Sequence, residues 1–81
     1  MSFLLILIVG MHIDKTHLKD LGMKIREIRM SLKMTQHEFS GKVGVNRNYI
    51  GMLERGERNP SYLMLLKIAS NLSVSIHDLL P

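Results

Sequence analysis

Eighty-one residues suffice for one small domain, which buries only roughly 60% of the surface its unfolded chain exposes. The absence of cysteine excludes a disulfide framework, a thiolate metal site and a cysteine nucleophile, and suits a reducing cytoplasm. Eleven Lys and Arg against seven Asp and Glu leave a charge of +4, which permits a polyanionic partner, while two Phe, two Tyr and no Trp argue against a stacking platform for single-stranded nucleic acid. The chain opens with seven consecutive apolar residues, Phe3 to Val9. A membrane span needs about 20 such residues, and a secretory signal wants a basic start and a small-residue cleavage site. Val, Ile and Leu without Pro or charge favour an extended strand. Residues 1–17 are therefore read as an apolar N-terminal extension. It is a strand or dimer arm, a segment folded back on the domain, or a stretch upstream of an alternative start at Met11. Residues 18–81 are read as the domain.

From Leu18 onward the signals are helical. Leu18, Leu21, Ile25, Ile28 and Leu32 alternate spacings of three and four, one face of a first helix. Thr35 and Glu38 make a capping box that opens a second, with Phe39 and Val43 on one face. Gly44 stands at a junction where a tight turn wants a residue tolerant of positive φ. Asn46 caps a third helix that stops at Gly56 and carries Val45, Ile50 and Leu53 on its apolar side. Pro60 bars helix continuation from Asn59. Ser61 caps a fourth helix with Leu65, Leu66, Ile68, Ala69 and Leu72 on its apolar face. Ser75 with Asp78 caps a last short helix, Ile76 to Leu80. Five helices joined by short connections predict a compact all-α domain.

Within it, Thr35 to Leu53 has the pattern of a helix-turn-helix. Two short apolar-periodic segments flank Gly44, and Ser40 is small where steeply crossing helices need close approach. The second helix of such a unit enters a DNA major groove. Other chemistry is poorly supported. His12 and His17 are five apart and miss the helical i, i+4 face, and His37 and His77 have no ligand partner at metal-site spacing. No serine or carboxylate forms a nucleophile–base pattern, and Gly41, Gly44, Gly51 and Gly56 are too scattered for a phosphate loop. The seven Met residues read as gap fillers. No enzyme, metal, cofactor or small-molecule ligand is expected.

Residues from about Gly22 to Leu80 resemble the Cro and phage-repressor type of helix-turn-helix, the lambda-repressor-like family. The resemblance is carried by Ile25-Arg26-x-x-Arg29, Met34-Thr35-Gln36-x-Glu38-Phe39, Val43-Gly44-Val45 and Tyr49-Ile50. It continues through Leu53-Glu54-Arg55-Gly56, Asn59-Pro60-Ser61, Leu66-x-Ile68-Ala69 and Leu72-x-Val74-Ser75. Asn46 to Ile50 and Glu54 to Asn59 look most like controller proteins of restriction–modification systems. The chain departs from the family at four places. Ser40 replaces the usual Ala, Gly41 and Gly51 sit inside helices, and Ser73 stands where Gly is common. Gly51 is expected to leave an exposed position of the third helix without a side chain to read a base.

The resemblance implies a sequence-specific transcription regulator that binds double-stranded DNA as a homodimer on a two-fold operator. Arg47, at the start of the recognition helix, is a candidate for bidentate contact with guanine, against the plainer role of a solvated charge. Asn48, Tyr49 and Asn46 are further base-contact candidates, although Asn48 and Tyr49 can instead meet a phosphate, Tyr49 can pack beside Phe39, and Asn46 can be only a cap. Gln36 resembles the family residue that bonds a backbone phosphate or an adjacent base, and Arg58 and Asn59 lie in a loop suited to phosphate clamping. Arg29 and Glu54 match positions that form a partly buried ion pair between the first and third helices. Ile76, Leu79 and Leu80 are the expected dimer contacts, against the alternative of a monomer core. RNA polymerase is a further candidate partner, and no membrane is expected. The setting implied is a bacterial or phage-encoded, nucleoid-associated protein of the cytoplasm. With no second domain for an effector, control would rest on protein concentration and cooperative operator binding. The rival readings are a phage or plasmid repressor of the same fold and an antitoxin-type protein-interaction module.

Overall fold

The computed structural model describes residues 15–80. The expectations for Phe3 to Val9, Met11 and His12 fall outside them. Four α-helices and a 3₁₀ turn follow in order: α1 Lys15–Ser31, α2 Gln36–Val43, α3 Arg47–Glu54, α4 Tyr62–Asn71, and the turn Ile76–Asp78. No strand occurs among the described residues. The all-α helix-turn-helix domain read from the sequence is therefore present, with its last helix reduced to a single turn. That turn is held by i→i+3 bonds, Asp78 N–H to the Ser75 carbonyl and Leu79 N–H to the Ile76 carbonyl, both 3.0 Å. Five residues cannot offset the cost of a helix nucleus, and a tighter turn makes do with fewer bonds.

The helices start where side chains accept the first free amides. Thr35 Oγ1 accepts from Glu38 N–H at 3.0 Å while Glu38 Oε1 accepts from Thr35 N–H at 2.8 Å. Asn46 Oδ1 accepts from Tyr49 N–H, and Ser61 Oγ from Met64 N–H, both at 3.1 Å. All four helices end through a left-handed residue: Lys33 (φ 58°), Gly44 (φ 85°), Gly56 (φ 78°) and Ser73 (φ 59°). After α3, Glu57 N–H reaches the Met52 carbonyl at 2.8 Å and Gly56 N–H the Leu53 carbonyl at 3.1 Å, a full Schellman motif. Lys33 and Ser73 complete the same double bond pattern after α1 and α4, without glycine.

Ile25, Phe39, Val43, Ile50, Leu53, Ile68, Leu72 and Leu79 are fully buried and form the centre of one core. In α1 the buried positions are Leu21, Gly22, Ile25 and Arg29, while Leu18 and Ile28 are half-buried. Leu32, expected on that face, is exposed, because α1 ends at Ser31 and the chain turns away at Lys33. In α4 the buried stripe is Leu65, Ile68 and Ala69, and Leu66 falls off it onto the surface. Gly22 lies where α1 crosses α3. A Cβ there would stand 2.4 Å from the Leu53 carbonyl oxygen, so the backbones meet only because no side chain intervenes. Gly41 is different: a Cβ there would meet nothing within 4 Å.

The left-handed caps generate a prediction. A non-glycine residue in that conformation carries a penalty of about 1 kcal/mol, part of which is returned as unfolded-chain entropy when glycine replaces it. Ser73→Gly is expected to raise stability by about 0.5 kcal/mol on this balance. A urea titration monitored by helical circular dichroism measures it. A midpoint that fails to rise would show that Ser73 gives the fold something its hydroxyl alone supplies.

Candidate nucleic-acid interface

The short turn Gly44–Asn46 sends the start of α3 to the surface. Phe39, Val43, Ile50 and Leu53 bury the inner faces of α2 and α3, which leaves the outer face of α3 to solvent. Arg47 and Asn48, in its first turn, are exposed. Asn46 is exposed too, but its carboxamide oxygen is committed to the cap and only its amide group is left to face outward. Tyr49 is half-buried and packs against the core. Burial pushes its phenol above the usual range, and the positive charge of Arg58 pulls the other way. Val45, Asn46, Asn48, Tyr49, Met52 and Arg58 line one open depression. Its lining combines apolar side chains, two carboxamides and one guanidinium. The fold thus gathers three of the four base-contact candidates with one phosphate-contact candidate. Arg47, Gln36 and Asn59 lie outside this depression, and Asn59 is exposed in the loop before α4.

A buried ion pair joins α1 to the last residue of α3. Arg29 Nε donates to Glu54 Oε2 at 2.6 Å and Arg29 Nη2 to Glu54 Oε1 at 3.0 Å. The side chains are 9% and 3% exposed, respectively, so this is a buried pair rather than a surface one. Arg29 Nη1 also donates to the Met34 carbonyl at 2.7 Å, joining α1 to the connection that leads into α2. Gln36, half-buried at the start of α2, donates through Nε2 to Glu54 Oε1 at 3.0 Å. Among the described residues no buried side-chain nitrogen or oxygen lacks a partner.

Two placements differ from the sequence reading. Gly51 is buried, not exposed: a Cβ there would lie 3.2 Å from Arg55 Nη1 and 3.9 Å from both amide atoms of Gln36. Two neighbouring side chains cover the bare backbone. Leu79, named as a dimer contact, is 1% exposed and belongs to the core, with Ile76 and Leu80 half-buried around it. Arg55 was missed. Its guanidinium pairs with Glu57 through Nε–Oε2 and Nη2–Oε1, each 3.1 Å, raising the guanidinium pKa and lowering that of the carboxyl. The signal was opposite charges flanking Gly56, whose left-handed turn folds Glu57 back. The exposed apolar residues Tyr62, Leu63 and Leu66 on α4 were missed as a surface as well, although Leu63 is 76% exposed. Their sign was Leu63 and Leu66, three apart and off the buried stripe. Among the described residues no group of three His, Asp or Glu is placed to hold a metal, and no helix is long and apolar enough to cross a membrane.

A family described as helix-turn-helix matches residues 25–79. An HTH-type transcriptional regulator of Archaeoglobus fulgidus is 46% identical over 56 residues, covering 69% of this chain and 80% of that one. The control protein C.BamHI of Bacillus amyloliquefaciens is 40% identical over 60 residues, covering 73% and 74%. The crystal structure of the restriction–modification controller protein C.AhdI of Aeromonas hydrophila superposes with a TM-score of 0.74 at 34% identity, covering 76% of this chain and 94% of that one. These relatives share the fold and, by their names, the work of regulation.

The buried pair generates the second prediction. Removing one partner leaves a charge without its counter-ion in a dry site, which costs roughly 3–5 kcal/mol. Glu54→Ala is therefore expected to lower the melting temperature steeply. Glu54→Gln is expected to lower it less, because the shape and one acceptor survive. Thermal unfolding of both variants is the measurement, and an unchanged Glu54→Ala transition would remove the pair from any structural role.

Proposed function

We propose that this chain, which belongs to the helix-turn-helix family and is a DNA-binding transcription regulator, works as a homodimer on a two-fold operator, as a controller protein of the restriction–modification type. The observation that carries this reading is the exposed first turn of α3, with Arg47 and Asn48 displayed on a helix whose inner face is locked into the core. α3 enters the major groove. Arg47 bonds guanine through O6 and N7, and Asn48, with the outward amide of Asn46, meets neighbouring base edges. Tyr49 closes the apolar wall against which a thymine methyl packs. Gln36, Arg58 and Asn59 grip phosphates and set the register without reading sequence. The protein is a binding module rather than an enzyme, of the cytoplasm, and takes no cofactor.

One half-site gives weak binding, and a two-fold dimer presents two recognition helices about 34 Å apart, one DNA turn. Leu79 is withdrawn into the core, so the dimer face consists of Ile76 and Leu80 with Tyr62, Leu63 and Leu66 of α4. An activating dimer would also meet RNA polymerase. The rival in which the same fold captures a protein, as an antitoxin does, predicts no steep salt dependence on duplex DNA.

The test starts with duplexes selected by the wild-type chain from a random-sequence pool. Arg47→Ala is expected to weaken the selected duplex by roughly 1–3 kcal/mol and to relax preference at one base pair per half-site. Arg58→Ala is expected to weaken selected and scrambled duplexes alike and to flatten the salt slope by about one charge. An unchanged specificity ratio in Arg47→Ala would remove α3 from the groove. For the dimer, Leu63→Glu is expected to leave melting nearly unchanged and to shift sedimentation toward monomer across a dilution series. A Leu63→Glu protein that dimerises like the wild type would place the interface elsewhere.

A further inference from the structure

Glu54 faces two ways. Its carboxylate takes two hydrogen bonds from Arg29 on the core side and one from Gln36 Nε2 on the surface side. A carboxylate only accepts, so the Gln36 side chain must turn its amide nitrogen inward, and its orientation is set by chemistry. Gln36 then lies against the bare backbone of Gly51, with Arg55 Nη1 on the same spot. A side chain at position 51 would contest that ground. Arg55 is held in turn by Glu57. The first residue of α2 and the residue that follows α3 are thus brought together over Gly51, each tethered by its own carboxylate.

We propose that Glu54 is a positioning residue for DNA binding: it holds Gln36 over Gly51 so that the second amide hydrogen of Gln36 meets a backbone phosphate in a preset direction. This rests on the DNA-binding reading above. Gln36 touches the phosphate; Glu54 acts only through Gln36. A free glutamine loses rotamer freedom when it binds, whereas one already fixed has lost it on folding. Glu54→Gln changes this without a change of size. Its new amide group turns the Gln36 carboxamide around, so that the oxygen faces inward and Gln36 no longer presents its nitrogen in the preset direction.

The experiment uses the full chain and a duplex selected by it from a random pool, with each phosphate in turn replaced by an uncharged methylphosphonate. Gln36→Met is expected to weaken binding about tenfold and to become insensitive to one particular neutralised phosphate per half-site. Glu54→Gln is expected to lose sensitivity at that same phosphate, and the double variant to bind no worse than Gln36→Met. Losses that multiply, or a Glu54→Gln protein that still feels that phosphate, overturn the proposal. A Glu54→Gln variant that only melts earlier, with its phosphate profile intact, also overturns it. Should Glu54→Gln not fold, Gln36→Asn replaces it, being one methylene too short to bond Glu54 and the phosphate together. A Gln36→Asn protein that keeps wild-type sensitivity at that phosphate overturns the proposal. A wild-type chain that selects no duplex removes the DNA reading itself, a result distinct from all of these.

Discussion

One guanidinium ties the molecule together. Arg29, seated on α1, reaches the last residue of α3 and the carbonyl of Met34 ahead of α2. Apolar packing in the core cluster that includes Ile25, Ile50 and Leu53 is non-directional and tolerates small rotations of α3 about its axis. The two bonds to Glu54 do not. Such a buried pair is weak evidence for net stability, since apolar groups of the same volume often serve as well. Its consequence here is geometric: it fixes the rotation of α3, and with it the direction in which Arg47 and Asn48 point. The Gly22 crossing works toward the same end, because backbones in contact leave no slack between α1 and α3.

The electrostatics of α3 run against local preference. A helix N-terminus carries partial positive charge and favours acidic neighbours, yet α3 has no acidic residue in its first turn and begins with Arg47. α2, by contrast, has Glu38 there, with its pKa lowered chiefly by the backbone and side-chain bonds to Thr35. A cation stacked on a positive dipole end weakens an isolated helix, and the same arrangement attracts a polyanion. Asn46 satisfies the cap without adding negative charge, so the positive field is left uncancelled.

Much of this was legible in the sequence because caps are local. Thr35 with Glu38, Asn46 and Ser61 each sit within three residues of the amide they serve, and each helix began where they indicated. The misses share a different character. Leu32 and Leu66 fit a helical period, but which side of a short helix faces inward is decided by its neighbours, and period alone does not say where α1 stops. Leu79 was legible as apolar and not as core, because the burial of a one-turn segment depends on its contacts with α4. Gly51 read as a gap on the surface, since nothing local shows that Gln36, fifteen residues earlier, lies across it. The Arg29–Glu54 pair, twenty-five residues apart, was legible only through resemblance to a family.

The loop from Glu57 to Ser61 links two exposed surfaces. Arg58 faces the depression beside Tyr49, and only four residues on, Tyr62 opens the exposed apolar edge of α4. Pro60 is buried between them and fixes its own φ, so the loop has little freedom to absorb a displacement. On the homodimer reading, a partner seated on Leu63 and Leu66 bears on the same short segment that carries the phosphate contact. Assembly and DNA binding would then be coupled mechanically, over a distance of a few residues. That coupling asks only that α3 stay fixed relative to the core, which is the constraint Arg29 and Glu54 impose.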